Sequence, residues 1–373
     1  MSIYIFSEIV FFILSFLENK RNCFVVFIAC TILLFVIFGL HNGQFNGAAD
    51  YHNYLDFFIG KGSMYGELDY IYGYDLEWPY YYFCKFLRLF GKSDYVYIWG
   101  YAFVVGIPLL IMLKKYSKNY ALSCFCFLTI MTSQMVVFVM HAHRQMIATT
   151  AFVIAFLIYV YIKKNIMWSF RKKLVLYLIV IFLLWLSIVG HSSSYFVIPL
   201  VLCLMALENR KLYTKRGIIV VLAVSLPLGF LFSSTFSSVV NVLMNAFSGY
   251  DALERTTHYL VENVYGDAKA SVVKHSLQTL TAIAFVIYAK ENEIHQLFLR
   301  CFCLATIVNV FLQTVPLVNR SMTLLFILGC IGAVPTIRKE MDFLWVIMIL
   351  NAYMCYRWYV SPVFNLSWSL IWN

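Results

Sequence analysis

RKKLVLYLIVIFLLWLSIVGHSSS, residues 171 to 194, opens on three cations, continues from 174 to 190 without a charge, and closes on a histidine and three serines. A helix needs roughly 17 to 25 apolar residues to cross about 30 Å of hydrocarbon, so 174–190 is predicted to span a membrane. Runs of the same kind recur on both sides of it, at about 2–17, 23–40, 94–113, 119–140, 145–162, 195–207, 217–232, 275–289, 297–312, 321–336 and 343–360. The whole chain is 62% hydrophobic and 12% charged, with a mean hydropathy of +0.79, where soluble domains carry roughly a quarter charged residues. The fold expected is an all-α polytopic integral membrane protein, one transmembrane domain over 1–373 with about twelve transmembrane helices. No segment is left over for a large soluble domain. Ile3 to Leu17 lacks a basic leader and a small-residue cleavage site, so it is expected to be a retained helix rather than a signal peptide. The ten cysteines sit singly, mostly inside apolar runs such as Cys30, Cys124, Cys203 and Cys330, and read as small buried hydrophobes without metal or redox spacing.

The net charge of +10 resembles that of a nucleic-acid binder until the charges are placed. Alternate connections are basic: Lys20 and Arg21; Lys114, Lys115 and Lys118; Lys163, Lys164, Arg171, Lys172 and Lys173; Arg210, Lys211, Lys215 and Arg216; Lys290; Arg338 and Lys339. The positive-inside rule puts all of them in the cytoplasm and both termini outside, and no nucleic acid is expected as a partner. The opposite face then holds two long outer loops, 41–93 and 233–274, with most of the acids: Asp50, Asp56, Glu67, Asp69, Asp75, Glu77, Asp251, Glu254, Glu262 and Asp267. Segment 79–90, PYYYFCKFLRLF, is too short to span; Tyr80, Phe83, Leu87 and Phe90 fall near one helical face, Lys85 and Arg88 elsewhere, as in an interfacial helix. Glu77 and Pro79 mark its start. Segment 48–59 repeats the pattern with Tyr51, Tyr54, Leu55 and Phe58. The tail from Val363 to Trp372 is Trp-rich and expected to rest at the interface.

Spans that run inward begin at the outer face, where helix N-termini present unpaired N–H groups and the positive end of the dipole. Several open on ionisable residues: His143 and Arg144, His191 with its serines, Lys274 and His275, and Arg320. Converging N-termini with arginines suit an anion, and a pyrophosphate is the anion to expect at a membrane surface; arginines that merely snorkel are the bland alternative. Asp50 follows the second span in FNGAADYHNY, close enough to the surface to act as general base on a sugar hydroxyl, with Tyr51 and Tyr54 able to stack on the sugar. A solvated loop acid is the alternative there, and helix capping already accounts for Glu77. His141 and His143 suggest a metal, but no third ligand stands at useful spacing, so no metal and no cofactor is expected.

The ordered set of Gly47, Asp50, Tyr51 and Tyr54 after the second span, Glu77 with Pro79, Arg144 with Gln145, His191 with Ser192, and Arg320 late in the chain resembles the EpsG-like branch of the Wzy polysaccharide polymerases. The resemblance covers most of the chain. It implies a GT-C-like envelope glycosyltransferase of the bacterial inner (cytoplasmic) membrane with its active site on the outer face, working in O-antigen, capsule or exopolysaccharide synthesis. Such an enzyme moves a growing glycan from undecaprenyl pyrophosphate onto the non-reducing sugar of a new lipid-linked repeat unit. It implies Asp50 as base, Arg144 and Arg320 as pyrophosphate clamps, and His191 as a clamp or orienting group. A chain-length regulator and a flippase of the same pathway are the protein partners to expect beside the bilayer. Many relatives carry an arginine just before the loop aspartate, where this chain has His41, Asn42 and Gln44, so no clamp carries over to that stretch. The chemistry agrees with the absence of a P-loop or dinucleotide fingerprint, because an already activated pyrophosphate leaving group needs only cations and a base.

Two other functions fit parts of the pattern. A transporter flipping lipid-linked oligosaccharides also has about twelve spans, but transporters place ionisable residues near the midplane and often show internal repeats, whereas here they gather at span ends. A membrane O-acyltransferase would need a catalytic histidine, for which His191 is the candidate.

Overall fold

The computed structural model describes residues 3–18, 21–40, 49–60, 78–116, 119–132, 143–165, 167–191, 194, 197–199, 201, 214–246, 272–289, 293–313, 322, 324–329 and 340–360. Twelve helices of ten residues or more lie among them: α1 (Ile3–Leu17), α2 (Cys23–Leu40), α3 (Ala49–Ile59), α4 (Trp78–Leu87, extended by a 3-10 turn Arg88–Phe90), α5 (Asp94–Tyr116), α6 (Tyr120–Thr132), α7 (His143–Lys164), α8 (Phe170–Gly190), α9 (Lys215–Ala246), α10 (Val272–Tyr288), α11 (Glu293–Phe311) and α12 (Glu340–Val360). No strand occurs among the described residues. Four helices, α5, α7, α8 and α9, are long and apolar enough to cross a membrane; shorter apolar stretches lie in α1, α2, α6, α10, α11 and α12. The chain is an all-helical membrane protein, as its composition demands.

Two compact units divide the chain: residues 1–128, 134–194 and 356–373, and residues 129–133 and 195–355. In the first unit the basic connections gather at one end. Lys114 lies over the Phe27 and Tyr120 rings, Lys115 over Tyr161, and Lys172 over Trp168. The start of α6 is closed there by residues from two places. Asn119 Oδ1 accepts the Leu122 N–H at 2.8 Å, Glu18 Oε2 accepts the Ala121 N–H at 2.9 Å, and Asn119 Nδ2 donates to Ser15 O at 2.8 Å. A helix leaves its first N–H groups without internal partners, and here the carboxylate that follows α1 supplies one.

The long outward-facing side of α8 is apolar: Val175, Leu178, Ile181, Phe182 and Trp185 are all exposed. α9 is similar, with Val220, Val221, Val224, Leu231 and Phe232 exposed. Such contiguous apolar surface has lipid as its natural neighbour. α9 also runs well past the expected end at residue 232, so that 233–246, the first part of the expected second outer connection, is helix. Two of its serines bond within the helix: Ser238 Oγ donates to Ser234 O at 3.0 Å and Ser233 Oγ to Phe230 O at 3.5 Å, the back-bonding that lets hydroxyls persist in apolar surroundings.

The two short helices of the first long connection form as expected, but they bury more than one face. On α4, Tyr80, Tyr81, Phe83, Cys84 and Leu87 are buried, whereas Phe90, expected on the same face, is exposed because the 3-10 turn rotates it away. On α3, Phe57 is buried beside Tyr54 and Phe58. Arg88, expected among the solvated positions, instead closes the C-terminal end of α3: Nε donates to Phe58 O at 2.9 Å, Nη2 to Phe57 O, and the guanidinium lies over the Phe57 ring. Carbonyls of a last turn lack internal partners and carry the negative end of the dipole. Hydrogen bonds to a charged group are worth about 1.5–3 kcal/mol, so Arg88→Ala should loosen α3 by about 2 kcal/mol, read as roughly thirtyfold faster amide exchange confined to residues 54–60. Exchange unchanged in α3 would show that the contact carries no load.

Candidate functional site

At the end of the first unit opposite the basic connections, α3, α4, α5, α7 and α8 meet. Gly190 is the last residue of α8, and a β-carbon there would lie 3.0 Å from Ala148 Cβ of α7 and 3.8 Å from Pro79 of α4. Glycine therefore lets α8 end tight against α7, one turn below Arg144.

His143 and Arg144 are the first two residues of α7. His143 is buried, and its Nδ1 is 2.6 Å from the Tyr97 hydroxyl of α5. Its imidazole stacks on Tyr101 at 3.9 Å between ring centroids and on Tyr54 of α3 at 5.2 Å, both nearly parallel. The Tyr97 hydroxyl is in turn 2.9 Å from that of Tyr80 on α4, whose own O–H reaches Tyr54 O at 3.5 Å. An unbonded buried hydroxyl costs about 1–3 kcal/mol, so this chain satisfies three polar groups together while tying α3, α4, α5 and α7 to one point.

Arg144, half-buried, extends from that point. Its Nε donates to the Tyr54 hydroxyl at 3.2 Å and its guanidinium lies 5.4 Å from the centre of the Tyr54 ring. A fixed cation at a helix N-terminus adds its charge to the orphan N–H groups and the dipole, which makes this corner suited to a phosphate. Gln145 beside it is buried. Asp50 and Tyr51 lie in the first turn of α3, with Asp50 one helical turn before Tyr54; their side chains are outside the described set.

His191 forms the corner after α8: its N–H closes the helix on Ser187 O at 3.3 Å and its carbonyl accepts from Ser194 N at 3.1 Å. A second tie, Ser187 Oγ to Ser194 Oγ at 3.0 Å, braces the corner. Glu77, His141 and Arg320 lie outside the described residues. Among the described residues no three His, Cys, Asp or Glu side chains are grouped as for a metal, and His143 already commits Nδ1 to Tyr97. Burial pushes the Cys84 thiol up to about 12, against the lowering pulls of its Tyr80 bond and of Arg88, so it stays protonated at neutral pH and is no nucleophile.

The structure thus brings together Tyr54, His143 and Arg144, three of the residues singled out from the sequence, and adds Tyr80, Tyr97 and Tyr101. The signal available for the last two was a pair of tyrosines spaced i, i+4 in the first turns of an apolar span. A family model described as the EpsG family matches residues 25–370. No curated protein and no solved structure matches the chain.

Proposed function

The chain belongs to the EpsG family, whose members are Wzy-type polysaccharide polymerases, and from that premise we propose that it joins undecaprenyl-pyrophosphate-linked repeat units into a surface glycan. The reaction takes place at the outer face of a bacterial inner membrane, on a GT-C-like scaffold of about twelve spans. The observation that carries the reading is Arg144, fixed at the N-terminus of α7 by Tyr54, a residue that follows Asp50 by one turn of α3.

In this mechanism the hydroxyl of the non-reducing sugar of a new unit attacks the anomeric carbon of the growing chain. A carbon–oxygen bond forms there as the bond to the lipid pyrophosphate breaks. The hydroxyl proton passes to the Asp50 carboxylate, and the leaving pyrophosphate gathers charge that Arg144 and Arg320 neutralise. His191 orients the leaving group, and Tyr51 and Tyr54 support the sugar. Stabilisation of developing charge by preset cations is the largest contribution such a site can make, and no cofactor is needed. Chain-length regulator and flippase of the same pathway are its working partners.

A surface-glycan gel of a strain lacking the gene tests the reading. A ladder collapsed to one repeat unit is expected; loss of every capped species would make the protein a flippase instead.

A further inference from the structure

In the second unit, buried polar side chains stand without partners among the described residues. His275 and Thr279 lie one turn apart on α10, and Gln313 lies just past α11; they are 3%, 2% and 3% exposed. His275 Nδ1, Thr279 Oγ1 and both amide atoms of Gln313 make no hydrogen bond. Neighbouring hydroxyls behave otherwise. Thr281 Oγ1 donates to Leu277 O at 2.8 Å and Thr306 Oγ1 to Phe302 O at 2.9 Å. Thr279 has the same backbone option and does not take it. Buried polar atoms in a native protein are nearly always bonded, and the exceptions call for a specific cause; an ionisable residue such as His275 within a membrane helix is by default a candidate for a functional site.

Helix register brings His275 and Gln313 to one level, with Thr279 one turn further along α10. Only four residues separate the end of α10 at Tyr288 from the start of α11 at Glu293, so the two helices run antiparallel, and Phe285 meets Phe302 at 5.0 Å. Both helices rise equally per residue, so His275, ten residues before Phe285, is level with Leu312, ten after Phe302. α9 gives the same register from its own side: Phe230 meets the His275 ring edge-on at 6.2 Å, and Gly229 next to it packs on Val310. Phe236 and Phe311, edge to face at 5.0 Å, border this level.

The lining decides the ligand class. α9, α10 and residues 297–313 contain no Asp or Glu, and Lys274 adjoins His275, which disfavours a cation. An imidazole, a hydroxyl and a primary amide beside aromatic edges offer neutral donors and acceptors to hydroxyl groups and apolar surface to sugar C–H faces. We propose that His275, Thr279 and Gln313 form a carbohydrate-binding subsite of the second unit, which bonds hydroxyls of the glycan. The proposal rests on reading the chain as a polysaccharide polymerase, and it assigns that polymer a second point of attachment besides its lipid pyrophosphate.

The test uses the full chain in nanodiscs and, as probes, lipid-free oligosaccharides of one and of several repeats, cut from the host's own surface polysaccharide, with inorganic pyrophosphate alongside. Gln313→Leu and Thr279→Val should each weaken oligosaccharide binding at least tenfold and leave pyrophosphate binding unchanged. Their melting temperatures should hold or rise, since replacing an unbonded buried polar group by an apolar one of like shape relieves a desolvation cost. Affinity that climbs with the number of repeats identifies the growing chain as the occupant, and equal affinity identifies the single unit. Oligosaccharide affinity unchanged in both variants, no binding by the wild type, or loss of pyrophosphate binding instead would each overturn the subsite. Elongation of lipid-linked units by the same preparations is scored separately: a wild type that elongates while the variants bind glycan normally defeats the subsite alone, and a wild type that never elongates defeats the polymerase reading.

Discussion

Arg144→Ala should slow chain extension by about a hundredfold to a thousandfold, the loss typical of removing one preset group from a site of developing negative charge. The guanidinium is held by Tyr54 through Nε and through the ring face, so its direction is set before any lipid arrives. Arg144→Lys keeps the charge but has no Nε and no planar fork, and should recover little of the rate. Tyr54→Phe keeps the ring and removes only the acceptor, so it should cost about tenfold, of the order of one charge-assisted hydrogen bond. In an Arg144→Lys background the same Tyr54→Phe change should cost almost nothing further, because the bond it removes is already absent. Glycan ladders and rates of purified protein on lipid-linked repeats read all four variants. Near-normal extension by Arg144→Ala at normal expression would remove this residue from the site.

Asp50→Asn should cost about a hundredfold to ten-thousandfold in rate, the range seen when a general base is lost, while leaving the fold intact. Asn keeps the size and hydrogen-bonding shape of the side chain but cannot take a proton. Asp50 lies in the first turn of α3, whose C-terminal end Arg88 closes and whose Tyr54 reaches Arg144, so the backbone that carries the carboxylate is tied to the cation. Asp50→Glu should recover part of the rate if the first turn can shift by one methylene. If the leaving pyrophosphate or His191 takes the proton instead, purified Asp50→Asn will elongate at close to the wild-type rate.

The spans were legible because a membrane imposes one simple requirement, an apolar run of sufficient length, and α5, α7 and α8 lie where those runs lie. α3 and α4 were legible as short amphipathic helices from Tyr54, Phe58, Tyr80 and Leu87, but burial of Phe57 was not, since Arg88 reaches it from the far end of another helix. α9 ends later than the span expected over 217–232, because its helix does not stop where the strongly apolar run stops and Ser238 bonds back to its own helix. Arg144 could be found from its place at a helix start. Tyr97 and Tyr101 were not singled out, because in an apolar span a tyrosine counts as filler until its hydroxyl or ring is matched with a partner; Tyr97 and His143 are 46 positions apart.

The carboxylate of Glu18 on the first turn of α6, 103 positions later, bears on how the chain is assembled as it is made. At about 5–20 residues per second, α1 leaves the ribosome some 5–20 s before the amide it will cover. Asn119, which bonds to the Ser15 carbonyl, arrives equally late, so neither tie between α1 and α6 can form before that interval has passed. The cap of α6 is therefore a late contact, completed by a carboxylate that was made first.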